Sequence, residues 1–169
     1  MKRRNILSIS GMTLLAFAVL AGNAAAQQKP LKEQLVGAWT LVSVDVTAKD
    51  GTKRQEFGAN PRGILILDAS GRYAAVQGRP DRAKFKASDN VRMDTPAAEF
   101  GEAARAFAAN FGAWSVDEAE KTLIRKLEGA LIPNAEGLEN KSSINLAGNE
   151  LKLSSTSATG VKTDAVYKR

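Results

Sequence analysis

The 169-residue chain contains no cysteine and no histidine. Without cysteine there is no disulfide, so a folded domain has to be held by its own apolar core. Without histidine there is no Ser-His-Asp or Cys-His relay, no histidine-ligated zinc site and no imidazole switch near neutral pH. Any chemistry falls to Asp, Glu, Lys, Arg, Tyr, Ser or Thr, and the sequence points to no metal and no cofactor. Internal repeats, linkers and low-complexity blocks are also missing, so the main body reads as one domain.

The chain opens MKRRNILSISGMTLLAFAVLAGNAAAQQ. Lys2, Arg3 and Arg4 form a basic start, an apolar stretch runs from about Ile6 to Leu20, and Ala24 and Ala26 give the small-x-small pattern of a cleavage site. These features predict a signal peptide over residues 1–26, cleaved after Ala26, and hence a periplasmic or secreted protein. The apolar run is interrupted by Ser8, Ser10 and Gly11 and falls short of the ~20 residues a spanning helix needs, so stable membrane insertion after cleavage is not expected. No cysteine follows the small residues, which argues against a lipid-anchored start. Arg3-Arg4 ahead of Asn5-Ile6-Leu7 is similar to a twin-arginine export signal, with Lys2 where Ser or Thr is usual. Removing the leader leaves residues 27–169, enough for one domain with a real core. It also takes three of the 24 cations, so 21 face 18 acids and the net charge falls from +6 to +3. That balance favours solubility and gives no footing for nucleic-acid binding.

Residues 27–34 are polar, contain Pro30 and read as a lead-in. Residues 39–46 (WTLVSVDV) alternate, with Trp39, Leu41, Ser43 and Asp45 on one face and Thr40, Val42, Val44 and Val46 on the other. Asp50-Gly51 supplies a hairpin turn. Ile64 to Leu67, the turn at 68–71 and residues 72–76 form a clear β-hairpin. Residues 78–94 have no period and read as a long loop. Thr95-Pro96 then opens a helix, with Thr95 as cap and Pro96 where its missing N–H costs nothing. Phe100, Ala103, Ala104, Phe107, Ala108 and Phe111 lie on one stripe at helical spacing, which extends the predicted helix from Pro96 to Phe111, where Gly112 stops it.

The strand pattern returns over 113–116, and again over 122–131, where Gly129 marks a bend or bulge. Residues 141–146 and 151–155 form a second hairpin, and 163–168 closes the chain. Eight or nine short strands with one mid-chain helix predict an antiparallel barrel or sandwich.

Gly37-Ala38-Trp39, at the start of the first strand, resembles the Gly-x-Trp signature of lipocalins. The stretches LVGAWTLVSV, FGANPRGILILDASGRYAAV, RPDRAKF, TPAAEF, GAWSVDEAEKTLIRKLEGALIPN and AVYKR together resemble the bacterial lipocalin-like domain family over residues 35–169. The resemblance implies an all-β fold: an antiparallel, up-and-down, lipocalin-like barrel of about eight or nine strands, with the mid-chain helix packed on or over it. In the wider lipocalin group a basic residue near the barrel's end packs over the tryptophan, and Arg169 is in position to do so here. The animal proteins place their main helix after the barrel, and no Thr-Asp-Tyr motif is found in this chain. The resemblance carries no particular ligand with it.

Gly37 and Trp39 are therefore read as the structural signature, with Trp39 plugging the base and its N–H on a nearby carbonyl. Trp114, in a second Gly-x-Trp, is a candidate pocket wall. The loop at 79–86 sets Arg79, Arg82, Lys84 and Lys86 against Asp81, with Phe85 as its apolar anchor. At a barrel mouth Arg79 and Arg82 would grip an acidic headgroup. As a solvated loop, Asp81 would instead pair locally with Arg79 or Arg82. A helix lying as a lid would bring Phe100 and Phe107 to the cavity. The expected function is binding of a small hydrophobic or amphipathic, anionic molecule inside the barrel. Two alternatives stand beside it: a barrel enzyme using a buried carboxylate, Asp45 or Glu128, as base, and a barrel with a packed interior that binds other proteins. No catalytic residue is assigned.

Overall fold

In the computed structural model, residues 29–86 and 88–169 are described. The predicted leader over 1–26 lies outside them. A short helix α1 (Leu31–Leu35) precedes β1 (Gly37–Thr47), β2 (Lys53–Gln55), β3 (Arg62–Leu67) and β4 (Arg72–Gly78). Helices α2 (Val91–Asp94) and α3 (Ala97–Arg105) follow, then β5 (Phe107–Asp117), β6 (Thr122–Ala130), a single 3₁₀ turn, β7 (Glu139–Ala147), β8 (Glu150–Thr156) and β9 (Lys162–Lys168). Strands pair antiparallel in the order β1, β3, β4, β5, β6, β7, β8, β9, and β9 returns to pair with β1. This is a closed eight-stranded, mostly up-and-down barrel, and closure leaves little free sheet edge. The extra strand β2 folds back on the far end of β1, where Asp45 faces Gln55 and Thr47 faces Lys53.

Two bulges decide which side chains face inward. On β1 the register with β9 shifts between Leu41 and Ser43. Trp39 and Leu41 are buried before the shift, and Val44 and Val46 after it. Strict alternation placed Asp45 on the Trp39 face, but the added residue turns the strand over and leaves Asp45 exposed. Between β5 and β6, Phe111 faces Gly129 while Gly112 faces Leu127, so Glu128 is the extra residue. The bend expected at Gly129 is this bulge. Gly112 permits it: a Cβ there would sit 2.0 Å from the Lys126 carbonyl oxygen.

One end of the barrel is closed. Leu35 of α1 and Trp39 of β1 are fully buried there with Leu65, Leu67, Leu123 and Leu151. The Trp39 indole N–H donates to the Leu35 carbonyl at 2.8 Å. Residues 31–34, read as part of a lead-in, thus belong to a plug. Glu118 holds it by accepting hydrogen bonds from the first two helical N–H groups, Leu31 and Lys32, each at 2.9 Å. These are donors with no acceptor inside the helix. The Arg169 guanidinium lies 4.3 Å from the Trp39 ring centroid.

The predicted helix over 96–111 is cut short. It ends at Arg105, and Phe107 to Ala113 instead form a ladder with β4, from Gly78 to Arg72. Alternating Ala and Phe satisfy both a helical and a strand pattern. Here the strand wins because a helix would leave the backbone polar groups of β4 unpaired along that edge. Helix α3 has no buried residue and stands at the rim against the start of β5. Among the described residues, no helix is long and apolar enough to cross a membrane.

Candidate functional site

The loop singled out in the sequence and helix α3 form one cleft at the open rim, of about 430 Å³, walled by Arg82, Phe85, Glu99 and Ala103. The Phe85 and Phe100 rings stack with centroids 5.9 Å apart. The Arg82 guanidinium lies 4.5 Å from the Phe107 ring centroid. Arg79 is turned elsewhere: its Nε and Nη2 donate to the Asp81 carboxylate at 3.0 and 2.9 Å. The hydrogen bond from Arg79 holds the Asp81 carboxyl below its usual range. Arg82, Phe85, Phe100 and Phe107 are thus brought together, while Arg79 is taken up by the local pair. Trp114 is not with them. It is buried in the core, donating from its indole N–H to the Asp68 carbonyl at 2.9 Å, with Lys32 over its ring near the closed end. It is a core group and not a wall of the rim cleft.

Neither carboxylate proposed as a base is buried. Asp45 is exposed and accepts a long hydrogen bond from Ser43 at 3.3 Å. Glu128, on the outer face by alternation from Leu127, accepts two hydrogen bonds from Arg72, one of them from Nη2 at 2.7 Å. That pairing lowers its pKa, the opposite of the shift a general base near neutral pH needs. Among the described residues no group of three or more acidic side chains gathers in a form that would hold a metal ion.

The inner wall holds what the sequence reading missed. Leu123, Arg125 and Leu127 share the core face of β6, and Arg125 faces the inward Trp114 across the ladder. Its guanidinium lies 5.6 Å from the Tyr73 ring centroid. Three side-chain polar atoms are buried with no hydrogen-bond partner among the described residues: Arg125 Nε, Tyr73 Oη and Asn110 Oδ1. All three belong to inward-facing side chains, and such atoms are uncommon because each carries a desolvation cost. Tyr167 is buried as well. Its hydroxyl accepts from Gln77 Nε2 at 2.5 Å, which leaves its own proton free to donate. Burial raises both phenols above 10.0, with the Arg125 charge acting against it. Both tyrosines of the chain are therefore neutral donors at physiological pH.

This polar interior has a way out. The β7–β8 register ends at Ser143 and Ser154, whereas β7 stays on β6 as far as Glu139 and β8 stays on β9 as far as Thr156. The two strands splay toward the open end. A cavity of about 580 Å³ fills the gap, with Arg125, Asn140, Ser155 and Thr163 on its wall and Leu138 and Val161 from the end loops. Its size is within the range of small-molecule sites. Arg125 was legible in principle, as a cation at the centre of an alternating apolar strand.

A search of the curated proteins finds no match. Among solved structures, the chain is similar to a redesigned beta barrel, at 14% identity over 83% of this chain and 95% of the other, with a TM-score of 0.43. It is also similar to a de novo designed, fluorescence-activating beta barrel, at 10% identity over 83% of this chain and 97% of the other, with a TM-score of 0.40. The lipocalin-like domain matches residues 36–166, from the end of α1 almost to the end of the closing strand. With its closed barrel and its first-strand tryptophan under a terminal arginine, the chain belongs to the lipocalin-like domain family.

Proposed function

We propose that this barrel binds one small amphipathic molecule, taken up through its open end after export of the chain. A lipocalin-like barrel suits small-molecule binding in general. The observation that carries the finer reading is the division of the interior. The closed end is filled by Trp39, Leu65, Leu67 and Leu151, whereas the wall toward the open end carries Asn140, Ser155 and Thr163 beside a cavity of about 580 Å³. At the rim, Phe85, Phe100 and Phe107 offer apolar contact to an arriving molecule, and Arg82 offers attraction for an acidic one. In this reading the leader over 1–26 directs the chain to the periplasm or the exterior, where it meets its ligand.

The test is native mass spectrometry of the chain expressed with its own leader and purified from the exported fraction. The expected spectrum shows a chain starting at Gln27 and a discrete added mass that disappears on denaturation. A bare chain that is also not stabilised thermally by medium-chain acids, alcohols or aromatic acids would overturn the binding reading.

A further inference from the structure

We propose that Arg125 anchors the carboxylate of a monoanionic, largely apolar acid, held head-inward through the β7–β8 opening. The inference rests on the reading of the barrel as a binder of small amphipathic molecules, and it names the class of molecule and how it lies.

Arg125 differs from Arg82 and Arg169, which are unpaired among the described residues and lie at the rim and at the closed end, in carrying a buried guanidinium nitrogen on the inner wall. Arg54, Arg72, Arg79 and Arg105 each pair with a carboxylate on the outer surface. Arg125 points inward, and no carboxylate of the described residues lies within 4.0 Å of it. A half-buried guanidinium without a counterion carries a desolvation cost, and a charged group so placed in a cavity points to a binding site. The Tyr73 ring at 5.6 Å supports the cation from one side without neutralising it. The buried Tyr73 hydroxyl stands unpartnered beside it.

The cavity then selects the ligand. Among the described residues, the charged groups on its wall are Arg125, Glu139 and Lys141. Glu139 and Lys141 are paired with each other at 3.4 Å, so their charges cancel locally. One uncompensated cation remains, which matches one negative charge. A carboxylate is the monoanion whose two oxygens fit the planar guanidinium fork. A phosphate monoester would bring a second charge with nothing to balance it. Leu138, Ala158 and Val161, from the loops at the open end, line the outer part of the cavity and suit an apolar tail. The acid therefore lies with its head at Arg125 and its tail toward the rim. Tyr73 acts as a positioning residue for the guanidinium.

The test is titration calorimetry of the delipidated full barrel with decanoate, decanol and decyl phosphate, on wild type, Arg125→Met and Arg125→Lys. Decanoate should bind wild type at least tenfold more tightly than decanol or decyl phosphate. Arg125→Met should lose that preference, bind decanol as wild type does, and melt no lower than wild type. Arg125→Lys should recover part of the preference, having the charge without the fork. If Arg125→Met does not fold, Arg125→Gln takes its place in the same titrations. Decanoate binding that is unchanged in the Met or Gln variant would overturn the Arg125 site while leaving the barrel a binder. Equal binding of all three probes by wild type would overturn it too. No binding of any probe by wild type would remove the binding reading itself and this inference with it.

Discussion

Replacing Arg169 by Met tests how the closed end is held. The guanidinium lies 4.3 Å from the Trp39 centroid, and its Nη1 donates to the Gln34 carbonyl at 3.1 Å and approaches that of Val36 at 3.5 Å. Met keeps most of the stem and removes the charge and the planar donor. A cation over an aromatic face contributes about 0.5–1 kcal/mol at an exposed site. A charged N–H on a carbonyl contributes about 1 kcal/mol once solvent competition at an exposed side chain is allowed for. The longer contact adds little. The expected loss is about 1.5–2 kcal/mol. For a domain of this size, roughly 3–5 °C per kcal/mol gives a fall in Tm of about 5–9 °C. Thermal melts followed by circular dichroism, with urea unfolding followed by tryptophan fluorescence, would measure it. Arg169→Lys keeps the charge and one donor without the stacking plane, and should lose about half as much. A Met variant within about 0.3 kcal/mol of wild type would refute the reasoning and leave α1 as the sole cap on Trp39.

Other consequences follow from the bulge, the tyrosines and the rim. Gly112→Ala drives a Cβ to 2.0 Å from the Lys126 carbonyl oxygen and should cost about 3 kcal/mol or more in urea unfolding. The nearest atoms a Cβ at Gly129 would meet all belong to the Phe111 ring, which is 51% exposed and free to swing away, so Gly129→Ala should stay within about 1 kcal/mol of wild type. Tyr73 and Tyr167 both have folded pKa values raised above 10.0, chiefly by burial. The stability tied to their protonated phenols is therefore complete below that pH and is lost as the pH climbs through the raised values. Absorbance at 295 nm should show no tyrosinate before the barrel unfolds, and a phenol ionising in the folded state near 10 would contradict the burial argument. Arg82→Glu loses the cation over Phe107 and should lower Tm by only about 2–5 °C, while slowing decanoate uptake several-fold at low salt, an effect that fades as salt screens the rim. Equal stopped-flow rates at low salt would remove Arg82 from the path of the ligand.

The fold was legible because its signals are local and agree with one another. Asp50-Gly51 and Gly71 mark tight turns, each with the positive φ expected there, and the apolar run over 64–67 and the alternation over 151–155 locate two hairpins. The errors have two sources. Alternation carries phase only until a bulge, and nothing in SVDV announces the shift between Leu41 and Ser43 that turns Asp45 outward. In AFAANFG the same residues satisfy both periods, and the choice depends on β4, thirty residues earlier in the chain, needing a neighbour. Of the candidate site, the cation–aromatic cluster at the rim was visible as composition. Arg125 was not legible in the same way, because a single cation within a strand gives no run of charge, and its inward face depends on where the bulge falls.

The two bulges also separate what holds the protein together from what it can hold. On β6, Leu123, Arg125 and Leu127 keep their phase because the bulge falls after them, at Glu128. Had it fallen before Arg125, the guanidinium would face solvent and Glu128 would face the core. The same unbroken phase puts Glu128 beside Arg72 on the outer wall, so the acid nearest in sequence to Arg125 is committed elsewhere. The interior cation is left unpaired by the register of the sheet itself. Such an arrangement lowers stability unless a ligand completes it, so filling the site by mutation to an apolar residue should raise stability and remove selectivity together. A purely structural arginine would show the reverse, with stability falling on substitution and ligand preference unmoved.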